Sequence, residues 1–310
     1  MRGVRAFAPG TVANLGPGFD ILALAVTGAG DTVAVERGPG TDVSVRSSGH
    51  PEIPTDPARN TAGIAASLVR SKAGAPETGL VLDVVKGLPL SGGQGGSAAS
   101  AAAAAVATNA LLGSPLLPRQ LLESCLAAEE AVSGRHADNV AAALFGGVVL
   151  VRSMETLDVV SLPFPDDLLV VLVEPEEPLS TQEGRGALPQ SVTRETAVAQ
   201  AANAAALVAA LASGDLELLA RSIEDRIAEP ARARLLPGFP EAKAAALAAG
   251  ALGCSISGSG PAAFAFAAGA GLASQVAAAM ADAYQGRGVA AKARVCSIEK
   301  RGARVLGEGE

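Results

Sequence analysis

The stretch Leu88-Pro-Leu-Ser-Gly-Gly-Gln-Gly-Gly-Ser-Ala-Ala-Ser100 joins a predicted strand, which ends near Lys86, to a predicted helix that begins at Ser97. It has four glycines within five residues, and glycine lets the backbone approach a ligand closely. The first amide groups of a helix have no partner within the helix, and the helix dipole adds partial positive charge there. The stretch therefore predicts a phosphate site. A glycine-rich helix start without a ligand is the alternative.

Two common nucleotide-binding motifs do not describe this loop. A Walker A loop needs Gly-Lys-Ser/Thr at the start of the helix, and no lysine stands there. Gly93, Gly95 and Ala98 match the relaxed dinucleotide fingerprint, but a helix follows them instead of a strand that ends in an acidic residue. Ser97 is able to cap the helix or to bind a phosphate-bound Mg²⁺, and the two uses are compatible.

Two further glycine-rich segments contain polar side chains. In residues 8–20, APGTVANLGPGFD, the sequence Gly16-Pro-Gly18 predicts a tight turn, with Asn14 and Asp20 beside it as groups for an amine or a hydroxyl. An ordinary turn with Asx caps is the alternative. Residues 254–264, CSISGSGPAAF, predict a loop between a helix and a strand, with backbone amides for an anion. By itself this segment is typical of a turn.

A Mg²⁺ ion beside phosphates needs a carboxylate, and Glu129, Glu130 and Asp138 are the candidates. The two glutamates are adjacent on one predicted helix and present different faces, so only one can point to the loop; a solvated surface is the alternative. His136-Ala-Asp138-Asn139 follows that helix, where polar side chains often face a cleft.

Three arginines are candidates for binding an anion. Arg185 stands in a polar loop after a buried strand, and Arg232 and Arg234 follow a predicted helix. The planar guanidinium suits a carboxylate or a phosphate, although a surface position is usual for any one arginine.

The composition limits the class of protein. The 310 residues suit one large domain or two of ordinary size, and 49% of them are hydrophobic. A net charge of -7 with scattered Lys and Arg argues against nucleic acid as a partner. Three separated cysteines indicate a reducing compartment. The start does not resemble a signal peptide, and the apolar run 98–113 is too short for a bilayer. We expect a cytoplasmic protein without a membrane partner, with a homodimer as the candidate oligomer.

Strands and helices interleave without regular βαβ spacing, which predicts an α+β fold in two lobes, divided as residues 1–155 and 156–310. One helix is predicted to run from Leu216 to Ala228, and GEGE at the end predicts a frayed tail.

Taken together, the segments resemble the GHMP kinase superfamily over nearly the whole chain. The matching stretches are PGTVANLGPGFD, LPLSGGQGGSAAS, GRHADNVAAALFGG, STQEGRGALP, EPARARLLPGF and SISGSGPAAF. The forms Asn-Leu-Gly-Pro-Gly-Phe-Asp, His-x-Asp-Asn-Val and Glu-Pro-x-Arg are more particular to members that phosphorylate L-homoserine. The resemblance implies an N-terminal lobe like ribosomal protein S5 domain 2 and a ferredoxin-like C-terminal lobe. It also implies ATP, Mg²⁺ and transfer of the γ-phosphoryl group to the side-chain hydroxyl of L-homoserine.

The resemblance also implies the site residues. The phosphate cradle would be Leu88, Pro89, Leu90, Ser91, Gly92, Gly93, Gln94, Gly95, Gly96, Ser97 and Ala98. Ser97 and Glu129 would hold Mg²⁺, and Asn60 would lie near the base. The homoserine site would comprise Asn14, Asp20, Asn139, Arg185 and Arg232, with the arginines on its carboxylate and Asp20 on its ammonium group. Catalysis would involve Ser97, Asn139 and Arg185.

The sequence has two departures from the superfamily pattern that matter. The usual loop Gly-Leu-Gly-Ser-Ser-Ala-Ala has Gly96 in place of its first serine, and His-x-Asp-Asn-Val-Ala-Pro has lost its proline to Ala142. These changes predict altered nucleotide affinity and loop rigidity. Asn139 stands where some members have an aspartate base, so we expect catalysis by positioning and electrostatics without a dedicated base. A related kinase of another alcohol and a non-catalytic nucleotide sensor are the alternatives.

Overall fold

The computed structural model describes residues 3–177 and 179–307, so the predicted tail lies outside the described residues except for Gly307. Within this part the chain forms two sheets. The first has seven strands, in the order β11-β1-β2-β4-β3, and β5 and β6 continue from the start of β2. Only β3 and β4 are parallel among these pairs of described strands. The strands are β1 (Gly3–Ala13), β2 (Leu22–Arg37), β3 (Val43–Ser47), β4 (Leu80–Val85), β5 (Val148–Ser153), β6 (Asp158–Leu162) and β11 (Arg304–Val305).

Four helices cover one face of this sheet: α1 (Thr61–Lys72), α2 (Gly96–Leu111), α3 (Pro118–Glu130) and α4 (Asp138–Phe145). The central helix α2 is alanine-rich and buried along most of its length. Small side chains let α1, α3, α4 and the sheet approach it closely, and this fixes the first turn of α2 beneath the glycine-rich loop.

The second sheet is antiparallel and has the order β10-β7-β9-β8. Numbered within this lobe the order is 4-1-3-2, which is the ferredoxin-like arrangement. Its strands are β7 (Leu168–Pro175), β8 (Gly253–Ile256), β9 (Ala263–Ala268) and β10 (Ala291–Ser297). The helices of this half are α5 (Thr181–Gly186), α6 (Arg194–Ser213), α7 (Leu216–Ser222), α8 (Ala228–Arg232), α9 (Phe239–Ala248) and α10 (Ala270–Gly286), with a short 3-10 helix at Ala233–Leu235.

Both faces of the second sheet are buried. Alternate residues of β7 face opposite sides, so that Val171 packs towards α9 and α10 while Leu172 packs towards α6, α7 and the first sheet. The core on that second side joins the lobes, since Leu22 and Leu24 of β2 pack there with residues of β9. The two-lobed α+β fold predicted from the sequence is confirmed.

The structure bears on three further predictions: the helix at residues 216–228, the loop that begins at residue 254 and the lobe boundary at residue 155. The helix predicted from Leu216 to Ala228 is wrong, because α7 ends at Ser222 and α8 begins at Ala228. The Asp225 carboxylate accepts hydrogen bonds from the amides of residues 227, 228 and 229 at 2.8–2.9 Å, and so it starts a new helix. Residues 254–256, the start of the segment predicted as a loop, belong to strand β8. The division at residue 155 stays a proposal; β6 and β11 pair with the first sheet.

Among the described helices, α6 has the length and apolar composition that could suit a bilayer. This criterion is weak, because helices of soluble proteins also meet it. Here Leu207, Ala210 and Leu211 pack into the core that joins the lobes, and Gln200 is buried with polar partners.

Candidate active site

A cavity of about 320 Å³ lies beside the glycine-rich loop and is lined by both lobes. The predicted residues that line it are Asn14, Asp20, Asn60, Pro89, Leu90, Ser91, Gly92, Gly93, Gln94, Gly95, Gly96, Ser97, Glu129, His136, Asp138, Asn139, Arg185 and Arg232. Leu88 and Ala98, the ends of the predicted cradle, instead bury their side chains in the core of the first lobe. Arg234, the third arginine candidate, is not among the lining residues.

Two glycines of the loop are required by close contacts. Gly95 is the N-cap of α2 with φ of 66°, and a Cβ atom there would lie 2.1 Å from Thr11 Oγ1. Gly93 has φ of 71°, and its Cβ would lie 2.7 Å from the carbonyl oxygen of Ser257. Both values are far below contact distance, so a side chain at either position would displace the loop. The loop is thus shaped by β1 on one side and by the segment after β8 on the other.

Hydrogen bonds from both lobes hold the loop in place. The amide of Thr11 donates to the carbonyl of Gln94 at 3.1 Å, and Ser257 Oγ donates to the carbonyl of Gly93 at 2.6 Å. The buried Gln94 side chain accepts a hydrogen bond from Arg294 of β10. Because these hydrogen bonds engage the carbonyls of Gly93 and Gln94, the loop is preformed as a candidate anion site.

Lys86 was missed in the sequence because it precedes the loop instead of following it. Its ammonium group forms an ion pair with Asp31 of β2 and donates to the carbonyl of Gly96 at 2.9 Å and to Ser100 Oγ at 3.1 Å. Ser100 Oγ in turn donates to Asp31 Oδ2 at 2.6 Å. Both charged side chains are buried, with 8% and 0% exposed for Lys86 and Asp31. Lys86 therefore supports the first turn of α2, although no lysine stands at the helix start, where a Walker A loop has one.

The predicted metal residues lie together at the start of α2. Ser97 Oγ donates to Glu129 Oε1 at 2.9 Å, while Glu129 Oε2 is buried without a hydrogen-bond partner among the described residues. Burial raises the pKa of Glu129, against the opposing effects of Ser97, Ser133 and Lys86. Glu130 points elsewhere and pairs with Arg135 at the surface. As predicted, only one of the adjacent glutamates faces the loop.

This pair fits a hard divalent cation. No cluster of three or more His, Cys, Asp or Glu side chains suited to a metal occurs in the described part of the chain. Mg²⁺ needs no such cluster, because it commonly takes one or two carboxylates and fills its other positions with phosphate oxygens and water. An unpartnered buried carboxylate oxygen beside a serine hydroxyl matches that requirement.

At the other end of the cavity Asp20 and Arg185 form a bidentate ion pair, with Nη2–Oδ1 at 2.7 Å and Nη1–Oδ2 at 3.2 Å. Arg232 is buried and donates from Nε to the carbonyl of Gly184 at 3.0 Å and from Nη1 to that of Gly258 at 2.9 Å. Both guanidinium groups lie over the Phe19 ring, at 5.6 Å and 5.2 Å from its centroid. The site thus presents two cations and one anion in one place.

The turn of residues 16–18 and the segment after β8 support this end. Asn14 Oδ1 accepts from the Asp20 amide at 3.1 Å, and Asn14 Nδ2 donates to the carbonyl of Gly258 at 2.8 Å. The prediction that residues 254–264 offer amides to an anion is wrong for Ser257, Gly258 and Gly260, whose amides donate to backbone carbonyls. The segment contributes carbonyls that orient Asn14 and Arg232.

Between the loop and the arginines, Asn139 Oδ1 accepts from Thr11 Oγ1 at 2.6 Å. Asp138 is buried, and its Oδ1 accepts from the Asn139 amide at 2.8 Å. Burial, and secondly repulsion from Asp20, raise the pKa of Asp138 to about 7, although the Asn139 amide and Arg185 oppose the shift. Burial and Arg185 lower the pKa of the neighbouring His136. The sequence did not predict Thr11 as a partner of Asn139, and the only signal for it was its position in the glycine-rich segment 8–20.

Asn60 lines the cavity and is the N-cap of α1. Its Oδ1 accepts from the amides of Ala62 and Gly63 at 3.0 and 3.2 Å, and its Nδ2 donates to the carbonyl of Pro54 at 2.9 Å. Its side chain is therefore engaged in capping. Its predicted position near a nucleotide base stays a prediction.

One cavity contains a glycine-rich loop at a helix start, a carboxylate–serine pair, and a cluster of two cations and one anion, which is the arrangement that a small-molecule kinase needs. The model of the GHMP kinases N terminal domain matches residues 60–147, and that of the GHMP kinases C terminal domain matches residues 207–286. The chain belongs to the GHMP kinase family, as its sequence motifs predicted.

Within this family the chain groups with proteins named homoserine kinase. It is 47% identical to homoserine kinase from Arabidopsis thaliana over 82% of this chain and 71% of that protein. It is 42% identical to the one from Chlorobium phaeovibrioides over 99% of this chain and 100% of that protein. The crystal structure of homoserine kinase from Cytophaga hutchinsonii has 39% identity and a TM-score of 0.95, over 99% of this chain and 98% of that one.

Proposed function

We propose that this protein is a homoserine kinase, which transfers the γ-phosphoryl group of ATP to the side-chain hydroxyl of L-homoserine and so forms O-phospho-L-homoserine for threonine synthesis. The observation that carries the proposal is the Asp20–Arg185 ion pair with Arg232 beside it, in the cavity that also contains the phosphate loop. A zwitterionic amino acid carries both charges that these groups complement. The proposal includes a cytoplasmic location and the absence of nucleic-acid or membrane partners.

The substrate would be held by exchange of ion pairs. Asp20 and Arg185 neutralise each other, and an amino acid offers an ammonium group to the first and a carboxylate to the second. Arg232 is oriented by the carbonyls of Gly184 and Gly258, so its guanidinium needs no rearrangement to join in binding the carboxylate. Asn14 fixes the Asp20 backbone. Preorganised charges of this kind favour the zwitterion over a neutral alcohol.

At the phosphate end, residues 89–97 would surround the phosphate chain of ATP, with the first turn of α2 contributing amides and partial positive charge. Ser97 and Glu129 would hold Mg²⁺. When bound, this ion supplies positive charge next to the transferred group. Lys86 keeps the start of α2 in place through the carbonyl of Gly96.

We propose that no residue acts as a dedicated base. Asn139 uses its Oδ1 to accept from Thr11 Oγ1, and its amide nitrogen is a donor, so it is able to hold the acceptor oxygen but not to take its proton. Phosphoryl transfer passes through a loose transition state in which positioning and electrostatics dominate. The bond from the γ-phosphorus to the ADP oxygen breaks as the bond to the acceptor oxygen forms, ADP leaves, and the hydroxyl proton passes to a phosphoryl oxygen or to water. Ser97, Asn139 and Arg185 thus contribute by orienting the two reactants.

The test is an assay of ADP release coupled to NADH oxidation, with L-homoserine, L-serine, L-threonine and mevalonate as acceptors. We expect release with L-homoserine and little with the others. Release with mevalonate in preference to L-homoserine would assign the protein to another alcohol, and nucleotide binding without ADP release across the panel would contradict any kinase activity.

A further inference from the structure

A buried polar bridge lies beneath the acceptor end of the cavity, and the proposed mechanism does not use it. Gln200 of α6 and Asp225 are 8% and 7% exposed, and neither is among the residues that line the cavity. Gln200 Nε2 donates to the carbonyl of Pro17 at 2.8 Å and to Asp225 Oδ1 at 3.1 Å, while its Oε1 accepts from the Arg226 amide at 2.8 Å. Both ends of the Gln200 amide are therefore engaged.

One end of this bridge supports the turn that bears Asp20. Pro17 belongs to the turn between β1 and β2, and Asp20 follows three residues later. The turn also lies against Ile223, because a Cβ on Gly16 would be 3.2 Å from the Ile223 Cγ2 atom. The position of the Asp20 carboxylate thus depends on the segment between α7 and α8, and Gln200 supplies a hydrogen bond from its side chain to the turn.

The other end supports the helix that bears Arg232. Helix α8 has five residues, too few to be stable alone, and so its direction depends on its partners. Asp225 accepts from the amides of residues 227, 228 and 229 at 2.8, 2.9 and 2.9 Å and fixes the start of the helix. Arg232 is the last residue of α8. A shift of Asp225 would therefore move the guanidinium at the far end.

We propose that Gln200 and Asp225 form a positioning pair that sets the separation between Arg232 and Asp20, and hence the affinity for the zwitterionic substrate. This inference rests on the proposed function, because it assigns those two residues to the carboxylate and ammonium groups of one amino acid. Gln200 is the side chain that joins the two supports, since its single Nε2 group bonds to Pro17 of one lobe and Asp225 of the other.

The test compares Gln200→Met with Asn203→Leu in the full-length protein. Methionine keeps the length of glutamine but removes all three hydrogen bonds of the Gln200 amide. Asn203, on the same helix, donates to the carbonyl of Glu224 at 3.0 Å, which lies outside the turn that bears Asp20. For Gln200→Met we expect the KM for L-homoserine to rise roughly tenfold, with the KM for ATP unchanged and kcat within about threefold. Asn203→Leu, which removes one hydrogen bond to the segment before Asp225, should change the KM for L-homoserine much less than Gln200→Met does.

A structural role alone would lower the melting temperature of Gln200→Met without this selective change in KM. A KM for L-homoserine within about twofold of the unmodified value, or equal increases in both KM values, would overturn the inference. If Gln200→Met does not fold, Gln200→Glu retains the acceptor for Arg226 and places a carboxylate against Asp225, and the same criteria apply. Absence of ADP release from the unmodified protein contradicts the proposed function and the inference with it, whereas an active protein with unchanged KM values contradicts the inference alone.

Discussion

Replacing Lys86 by methionine removes one member of the ion pair beneath the phosphate loop and leaves Asp31 charged in the core. Breaking a buried pair in this way costs about 3–5 kcal/mol, because the remaining charge loses its partner where water cannot replace it. Ser100 Oγ at 2.6 Å and the Gly87 amide at 3.1 Å still donate to Asp31 and reduce the loss. We therefore expect Lys86→Met to lower the free energy of unfolding by about 3 kcal/mol, a large part of the ~5–15 kcal/mol of a typical domain.

The matched control is Lys72→Met, which breaks the pair of Lys72 with Glu123 at 2.7 Å. These side chains are 33% and 36% exposed, so the expected loss is about 0–1 kcal/mol. The double variant Lys86→Met with Asp31→Asn should recover much of the stability, since no charge remains buried. Urea unfolding followed by far-ultraviolet circular dichroism measures all variants, because the chain has no Trp.

The same variant tests the link to function. Lys86 holds the carbonyl of Gly96, so its loss should also raise the KM for ATP more than that for L-homoserine. A loss of stability no larger than that of Lys72→Met, together with an unchanged KM for ATP, would refute the assignment of Lys86 as the support of the loop.

Four other perturbations have defined outcomes. Glu129→Gln should lower kcat by roughly a hundredfold or more, because it removes the carboxylate proposed to hold Mg²⁺. It should raise the melting temperature of the nucleotide-free protein, since burial raises the pKa of the carboxyl and the amide carries no charge. Steady-state kinetics and calorimetry measure these effects, and an unchanged kcat would contradict the metal assignment. The pKa of Asp138 is about 7 in the folded state and about 4 in the unfolded state, so between these pH values the folded state binds more protons and stability falls as pH rises. The free energy of unfolding, measured in urea across this pH range, should fall less steeply with pH for Asp138→Asn than for the unmodified protein. Equal dependence on pH would contradict the shift. Gly95→Ala, whose Cβ would lie 2.1 Å from Thr11 Oγ1, should raise the KM for ATP roughly tenfold or more. Gly96→Ser places a Cβ no nearer than 3.2 Å, from Lys86 Nζ, and should raise this KM less than Gly95→Ala does. Equal effects of the two variants in ATP titrations would argue against the loop geometry. Asn139→Ala should retain more turnover than Glu129→Gln, and complete loss with homoserine binding intact would contradict catalysis without a base.

The sequence predicted those parts of the site that depend on local pattern. The strand and the helix within residues 80–111 follow from the strand and helix propensities of their residues. The loop between them follows from its glycines, two of which, Gly93 and Gly95, have a positive φ. Ser97 and Glu129 lie together because each falls on the inward face of its own helix, and α2 packs directly against α3. Helix periodicity predicted only that one of the two adjacent glutamates could face the loop, and the choice of Glu129 came from the resemblance to the GHMP kinases.

Other parts depend on contacts between distant residues, which no local pattern specifies. Thr11 and Asn139 are 128 residues apart, and their hydrogen bond depends on how β1 and α4 meet. Lys86 pairs with Asp31 because β2 and β4 are adjacent in a register that brings Thr32 opposite Val85. The break at Asp225 was missed for the same reason: the helical propensity of residues 216–228 is high, but capping by this carboxylate and its bond to Gln200 override it.

The central claim is that the site binds both charges of a zwitterionic alcohol beside the phosphate loop. The most direct measurement compares kcat/KM for L-homoserine with that for 3-aminopropan-1-ol, which lacks the carboxylate, and for 4-hydroxybutanoate, which lacks the ammonium group. The arrangement of Asp20, Arg185 and Arg232 predicts that L-homoserine exceeds each analogue by roughly a hundredfold or more, because each analogue lacks one of the two charges that these side chains complement. Similar values for the three alcohols, or a higher value for either analogue, would contradict it.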